Sequence, residues 1–320
     1  MKRVMLLLVF VVGCGAPGTP KGRIGMIPTR SHMGPNIGKH KAGEKNGIVY
    51  TKRAGHIDIS HTRKSIDWTA YLYGRFLEDL SIGKSDLTFK MKEPSKYHLI
   101  LEYPSNWNSL SAREKEAVSE VVALNLAVYC TYCTTTWHEM LTWWGWGCTG
   151  LSEKFSAFTW EENFSNLLGC LIGARAIMNT SLDYKEAVTL AFDEELEYLG
   201  IQSSKISRAA SKKVKGEWYK NGLIFPKMIK RNLDIGFDDG FVTPSVVPMS
   251  GSGLDIVSYS IPSLKLVRAN GFNVLFEIEP VIKKSRVRKV IGTDRVNPEL
   301  HFQKIMEQIE REAVRQGMIP

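Results

Sequence analysis

The segment SAREKEAVSEVVALNLAVYCTYCTTTWHEMLTWWGW, residues 111–146, decides the fold class. Ser111 and Glu114 have the spacing of a capping box, in which each side chain accepts a hydrogen bond from a free N–H group at a helix start. The stretch 121–137 contains no charged residue, so it must be buried either in a protein core or in a membrane. An Asn and several Thr and Cys residues make it too polar for a bilayer. We therefore predict one long, buried core helix that ends at a pair of glycines.

Later segments carry further helix signals. Three more helices are predicted from their ends: one opened by a capping box at Thr159–Glu162 and reaching about Ile177, one over Tyr184–Leu199 closed by Gly200, and one from Asn297-Pro298 to Arg315 closed by Gly317. These helices are expected to pack around the long central one.

Strand signals come mainly late in the chain. The runs 264–269 and 272–279 flank Asn270-Gly271, and an Asn-Gly pair favours the type I′ turn of a hairpin. Residues 97–102 are another strand candidate. Helices followed by strands, without regular alternation, predict a single α+β domain with a buried long central helix, several packed helices and a later β-hairpin or antiparallel sheet.

The N-terminus has the pattern of an export signal. Lys2 and Arg3 precede a nine-residue apolar run that is too short to span a bilayer as a helix. Gly13-Cys14 follows and resembles a bacterial lipobox, in which the cysteine becomes the lipid-modified first residue. We predict a signal peptide at 1–13, a lipidated (palmitate-bearing) Cys14 with a basic Gly/Pro-rich arm to residue 47, and a folded domain over 48–320. The alternative is a plain secreted protein in which Cys14 has no such role.

The formal net charge of +9 is concentrated in that arm. Residues 15–50 contain six basic residues and one acid, whereas 51–320 contain 34 basic and 32 acidic residues. The folded part is therefore nearly neutral, which argues against a nucleic-acid partner. A basic arm beside a lipid anchor is suited to anionic headgroups or wall polymers. Gly15, and not Asp, follows Cys14. By resemblance to Gram-negative lipoproteins, this implies that the protein is anchored in the outer membrane and faces the periplasm, and is not retained at the inner membrane.

Two polar sets could carry chemistry. The first contains His56, Asp58, His61 and Arg63, where imidazole and carboxylate groups could bind a divalent metal or orient a general base. Side-chain alternation would place His56 and Asp58 on the same face of a strand. The alternative is a hydrogen-bond network of the core.

The second set is His138-Glu139, placed among four Trp residues within the long helix. Burying these groups without partners would cost free energy, so they are candidates for a site. The zinc-protease helix motif is excluded because Thr142 stands where its second His would be. Glu161-Glu162 could add one more carboxylate, although Glu162 already has a capping role.

The cysteines after Cys14 leave three interpretations open. Cys130, Cys133, Cys148 and Cys170 could form disulfides in an oxidising compartment, could include a papain-like nucleophile with His56 or His61 as base, or could be buried structural thiols. We favour buried thiols. Three Asp residues near glycines in 231–248 do not fit the EF-hand spacing, so this stretch is predicted to be a structured turn and not a calcium loop.

Several ordered motifs resemble one family of bacterial envelope proteins, which is catalogued as a domain of unknown function and is often found on predicted lipoproteins. The motifs are Gly55-His-Ile-Asp-Ile-Ser-His-Thr-Arg63, Trp137-His-Glu139, Ser165-Asn-Leu-Leu-Gly-Cys-Leu-Ile-Gly-Ala-Arg175, Asp234-Ile-Gly-Phe-Asp-Asp-Gly-Phe-Val-Thr-Pro244 and Phe276-Glu-Ile-Glu-Pro280. The resemblance implies an envelope location and one domain, and it implies no reaction.

The leading functional hypothesis is a lipid-anchored periplasmic hydrolase. In it, His56, Asp58 and His61 bind a divalent metal, with zinc as first choice, His138 and Glu139 act in catalysis, and Arg63 stabilises developing negative charge. The alternative is a non-catalytic envelope lipoprotein that binds a partner, such as a cell-wall component or a polysaccharide.

Overall fold

The computed structural model describes residues 47–91, 93–147, 154–220, 227–249 and 255–319. The predicted signal peptide, Cys14 and the arm up to residue 46 lie outside the described residues, as does Cys148. The positions of these features therefore stay predictions.

The described residues form an α+β fold, as predicted. The elements in chain order are β1 (Ile48–Thr51), β2 (Gly55–Asp58), α1 (Ile59–Ser81), β3 (Ser95–Glu102), α2 (Ala112–Trp143), α3 (Glu162–Met178), α4 (Tyr184–Tyr198), α5 (Ser204–Lys213), β4 (Tyr219–Lys220), β5 (Lys227–Met228), β6 (Phe241–Val242), β7 (Tyr259–Ser260), α6 (Lys265–Ala269), β8 (Asn273–Pro280), α7 (Lys284–Ile291) and α8 (Pro298–Arg315). The strands pair two by two in small antiparallel sheets.

The central helix α2 begins and ends as predicted. The Ser111 hydroxyl accepts from the Glu114 N–H at 3.3 Å, and the Glu114 carboxylate accepts from the Ser111 N–H at 2.8 Å. The helix is long and apolar enough to cross a membrane, and a core helix meets the same criteria. Between Leu126 and Trp143 every residue except His138 is buried inside the protein, which is the arrangement of a core helix.

Helix α1 is sandwiched between α2 and α3, and two glycines of α3 permit the close approach. A Cβ atom at Gly169 would lie 2.2 Å from the carbonyl oxygen of Thr62 and 2.7 Å from the Cβ of Ser65. At Gly173 it would lie 3.1 Å from the Cβ of Thr69. Position 169 leaves no room for a side chain and position 173 leaves little, so α1 and α3 approach each other closely at these glycines.

The predicted hairpin around Asn270-Gly271 is wrong. Residues before the turn form the short helix α6, whose Val267 is buried, and Gly271 ends that helix with φ 83°. The partner of β8 is instead β3, from a distant part of the chain, with Leu99 opposite Phe276. A glycine with positive φ serves a hairpin turn and a helix end equally well, so the local signal could not separate the two.

The other helix predictions are confirmed with one shift. Helix α4 occupies the predicted range, and α8 begins at Pro298 with Asn297 as N-cap. Helix α3 begins at Glu162, later than its capping box suggested. Glu162 does reach back to accept from the Thr159 N–H at 2.8 Å, so half of the predicted box forms.

Candidate metal centre

Three buried side chains from three helices converge between α1, α2 and α3. His61, Glu139 and Glu162 each offer one ligand atom, and these atoms lie within 4.8 Å of one another. Their exposed fractions are 7%, 2% and 1%. A nitrogen and two carboxylate oxygens at this separation could contract around one divalent cation, since Zn–N and Zn–O distances are about 2.0–2.2 Å.

Both glutamates are held by a single short segment. The Phe158 N–H donates to Glu139 Oε2 at 3.1 Å, and the next N–H, of Thr159, donates to Glu162 Oε2 at 2.8 Å. Phe158 has a left-handed backbone (φ 56°), which is uncommon for a residue other than glycine. Each carboxylate therefore accepts from the backbone with Oε2 and faces a histidine with Oε1. Glu162 Oε1 lies 3.8 Å from His61 Nε2, and Glu139 Oε1 lies 4.0 Å from His138 Nε2.

Asp58 orients His61 from the opposite side. As N-cap of α1, its Oδ1 accepts from the N–H groups of Ser60 at 2.7 Å and of His61 at 3.2 Å. Its Oδ2 lies 3.2 Å from His61 Nδ1. In a metal-binding histidine, one ring nitrogen usually contacts a second-sphere carboxylate and the other faces the metal. His61 has this arrangement. Asp58 is thus placed to position His61, and it lies outside the group of three candidate ligands.

His138 repeats this arrangement beside the centre. Its Nδ1 lies 2.9 Å from Glu93 Oε1, and its Nε2 faces Glu139. The side chain keeps 14% of its surface exposed, and the ring packs edge-on against Trp146 at 5.0 Å. His138 is therefore the most accessible polar group of the set. The sequence prediction missed its partner Glu93, because an acid followed by a proline just before a strand has no distinctive pattern.

The carboxylates strongly influence one another. Burial, followed by repulsion from Glu162, raises the pKa of Glu139 to about 7. Burial and repulsion from Glu162 and Asp58 raise the pKa of Glu161 well above its usual value. Burial alone would raise the pKa of Asp58 too, but its contacts with His61 and the Ser60 N–H lower it overall. So many buried acids close together are compensated best by a cation.

The structure places His56 away from this centre. Its Nδ1 accepts from Trp160 Nε1 at 3.3 Å, and its Nε2 lies 3.1 Å from the Ser211 hydroxyl. Both ring nitrogens therefore have partners in the core. The predicted set His56, Asp58 and His61 is thus divided: one core residue, one orienting residue and one candidate ligand. Both residues belong to β2, but Asp58 caps α1 with its side chain, whereas His56 contacts Trp160 and Ser211.

Arg63 and the three cysteines among the described residues are buried. Arg63 is 1% exposed, and its predicted role in stabilising charge stays a prediction. The half-buried Lys64 partly offsets the rise in the pKa of Glu139, after the larger contributions of His138 and His61. Cys130, Cys133 and Cys170 are free and buried, as favoured above. Burial raises the pKa of the Cys170 thiol to about 12, which opposes a nucleophilic role.

The 231–248 stretch is a structured turn, as predicted. Asp234 accepts from the N–H groups of Gly236 at 3.0 Å and Thr243 at 2.7 Å, and Asp239 accepts from the N–H of Phe241 at 2.8 Å. These aspartates are occupied by the backbone of their own loop.

The role of Asp58 predicts a specific effect of Asp58→Asn. Asn is as good an N-cap as Asp, so the thermal midpoint should change little. The amide lacks the negative charge that Asp58 Oδ2 places 3.2 Å from His61 Nδ1, so zinc affinity should fall about tenfold. Competition with a chromogenic chelator measures the affinity. Asp183→Asn, at the N-cap of α4, is the matched control and should leave zinc affinity unchanged. Equal affinities of all three proteins would contradict the positioning role.

Comparison with known proteins gives a family and nothing finer. A family model described as "Protein of unknown function (DUF4056)" matches residues 30–243. The expected membership of a family of unknown function is thereby confirmed, whereas the envelope location and the lipoprotein character stay predictions. The motif at 276–280 lies beyond the matched range. No curated protein and no solved structure matches the chain.

Proposed function

Because the chain belongs to the DUF4056 family over a range that includes every residue of the candidate centre, we propose that this domain is a zinc-dependent hydrolase of the cell envelope. The domain would be anchored by lipid on Cys14 at the outer membrane and would face the periplasm. The catalytic unit would be the cluster between α1, α2 and α3.

One observation carries the proposal. His61, Glu139 and Glu162 bring ligand atoms within 4.8 Å of one another from three separate helices. The ligands are oriented from behind, His61 by Asp58 and the two glutamates by consecutive N–H groups. A purely structural network has no need for two carboxylates facing each other in a buried space, because their repulsion costs stability. Mixed nitrogen and oxygen donors suit zinc and other first-row divalent ions.

The residues divide into distinct roles. His61, Glu139 and Glu162 would hold the ion, which would supply Lewis-acid and water-activating chemistry for hydrolysis of a carbonyl or phosphoryl group. His138, held by Glu93 at Nδ1 and partly exposed, would accept or donate a proton at Nε2. Lys64, at the edge of the site, would meet the developing negative charge more readily than the buried Arg63.

A second candidate is favoured by the depth of the centre. Both carboxylates are at most 2% exposed, and closed sites of this kind are usually structural. In that case the protein is a non-catalytic envelope lipoprotein whose ion stabilises a surface for a partner or polysaccharide. Both proposed functions require a bound ion, and only the first includes catalysis.

The test uses the full chain carrying Cys14→Ala, so that no lipid is attached. We expect one zinc per chain by elemental analysis after dialysis, and zinc-dependent release of soluble fragments from isolated wall and membrane material. A chain without stoichiometric zinc would refute the hydrolase and the ion-stabilised surface, and would favour a non-catalytic lipoprotein whose His and Asp residues form a core hydrogen-bond network. Bound zinc without any fragment release would favour the ion-stabilised surface.

A further inference from the structure

Helix α7 carries a concentrated positive charge on the surface of the domain. Residues 283–289 include five Lys or Arg residues and no acid. Val287 and Ile291 are buried, and α7 packs against α8. The cations therefore stand on the outer side of the helix, and the face that they form with the neighbouring part of α8 is called the α7 surface. Its cations are Lys284, Arg286, Arg288, Lys289, Lys304 and Arg311.

Two open grooves, of about 630 and 740 Å³, run along α7. Both are lined by Ser285 and Lys289, so the helix forms the ridge between them. The first groove adds Lys304 and Arg311 from α8, and the second adds Arg295. Three acids also line the grooves, and each is paired: Glu312 with Arg286, Asp294 with Arg288 and Glu279 with His98. The remaining cations line both sides of one ridge, which suits a broad anionic surface better than a single small anion.

Part of this charge has no internal counter-ion. Arg286 is paired with Glu312 at 2.7 Å, and Arg288 is paired with Asp294. Among the residues that the structure describes, Lys284, Lys289 and Lys304 are exposed and make no ion pair. Such uncompensated cations attract a negatively charged partner within about one Debye length.

An exposed apolar residue adjoins the cations. Val281, which is 52% exposed, lies just before α7 at the end of β8. An apolar side chain at the edge of a cationic face is typical of a surface that meets lipid headgroups. We propose that the α7 surface binds the headgroup phosphates of an anionic phospholipid membrane and holds the domain against it. This inference rests on the envelope location in the proposed function and is independent of the metal centre.

Vesicle binding by the full chain carrying Cys14→Ala tests the inference. The probes are vesicles of phosphatidylglycerol mixed with phosphatidylcholine, and of phosphatidylcholine alone, followed by co-sedimentation. The test variant combines Lys284→Gln, Lys289→Gln and Lys304→Gln. The matched control combines Lys205→Gln, Arg208→Gln and Lys212→Gln in α5, whose three side chains are also exposed, so both variants lose the same charge.

We expect the starting chain to bind only the anionic vesicles. The α7 variant should bind them at least about tenfold more weakly, because each cation near such a surface contributes about fivefold, and the α5 variant should bind almost as well as the starting chain. Equal losses in both variants, or no vesicle binding at all, would overturn the inference. The inference would also be overturned if the α7 variant bound soluble polyphosphate more weakly than the starting chain but bound anionic vesicles equally well. Zinc content should be the same in all three proteins, so failure here and failure of the metal centre are distinguishable.

Discussion

Replacing Glu162 with Gln is expected to lower zinc affinity more than about 100-fold, because losing even an outer-sphere partner of a metal site costs about 10- to 100-fold. The substitution removes a charged ligand and almost nothing else. The Gln side-chain oxygen can still accept from the Thr159 N–H, which Glu162 now does at 2.8 Å. The start of α3 should therefore be preserved.

The metal-free variant should also keep or gain stability. Glu162 is one of the groups that raise the pKa of Glu139 and of Glu161 by repulsion. A neutral amide at this position removes that repulsion from the buried space. Without zinc, we expect the urea midpoint of Glu162→Gln to equal or exceed that of the starting chain, and with zinc we expect the order to reverse.

The neighbouring residue supplies a matched control. Glu161 is equally buried, with 2% exposed, but it lies outside the group of three ligands. Glu161→Gln should therefore bind zinc nearly as tightly as the starting chain. If Glu161→Gln and Glu162→Gln lose affinity equally, the ion is held by general negative charge and the three-ligand centre is wrong.

The sequence predicts the local features of the fold well, since they depend on neighbouring residues. The capping box at Ser111 requires only residues three apart, and it formed as expected. The hairpin at Asn270-Gly271 failed because the true partner of β8 lies in β3, which no local pattern indicates. Strand pairing between distant segments is decided by the packing of the whole domain.

The same contrast holds for the candidate site, whose individual residues could be predicted from the sequence and whose convergence could not. His61, Glu139 and Glu162 could each be identified from the sequence: His61 from its cluster with His56 and Asp58, Glu139 from its place beside His138 among Trp residues, and Glu162 from the acidic pair with Glu161. Their convergence depends on how closely α1 and α3 approach, and that distance is set by the missing side chain at Gly169. The division between His56 and Asp58 could not be predicted, since it follows from the capping of α1 and from the position of Trp160.

His56 should make the protein sensitive to acid. Burial lowers the pKa of His56 to about 3, from its usual value of 6.5. Above pH 6.5 the ring is neutral in both the folded and the unfolded chain, so His56 adds no pH dependence there. Below pH 6.5 the unfolded chain gains a proton that the folded chain excludes, and the free energy of unfolding falls until about pH 3. At pH 4 the loss from this one group should be roughly 3 kcal/mol.

His56→Gln tests this origin of acid sensitivity. The variant loses the edge-on contacts of the ring with Tyr50 at 5.3 Å and Trp160 at 5.8 Å, so it should be less stable at pH 7. Its further loss between pH 7 and pH 4 should nevertheless be smaller than that of the starting chain by roughly 3 kcal/mol. Urea unfolding at both pH values gives the two differences, and carboxyl groups common to both proteins cancel. His98→Gln, which changes a partly exposed histidine of β3 that lowers the pKa of Glu279, should change the loss far less than His56→Gln does. If His56→Gln and the starting chain lose stability in parallel, His56 takes up its proton without unfolding, and its buried neutral state is not what limits stability in acid.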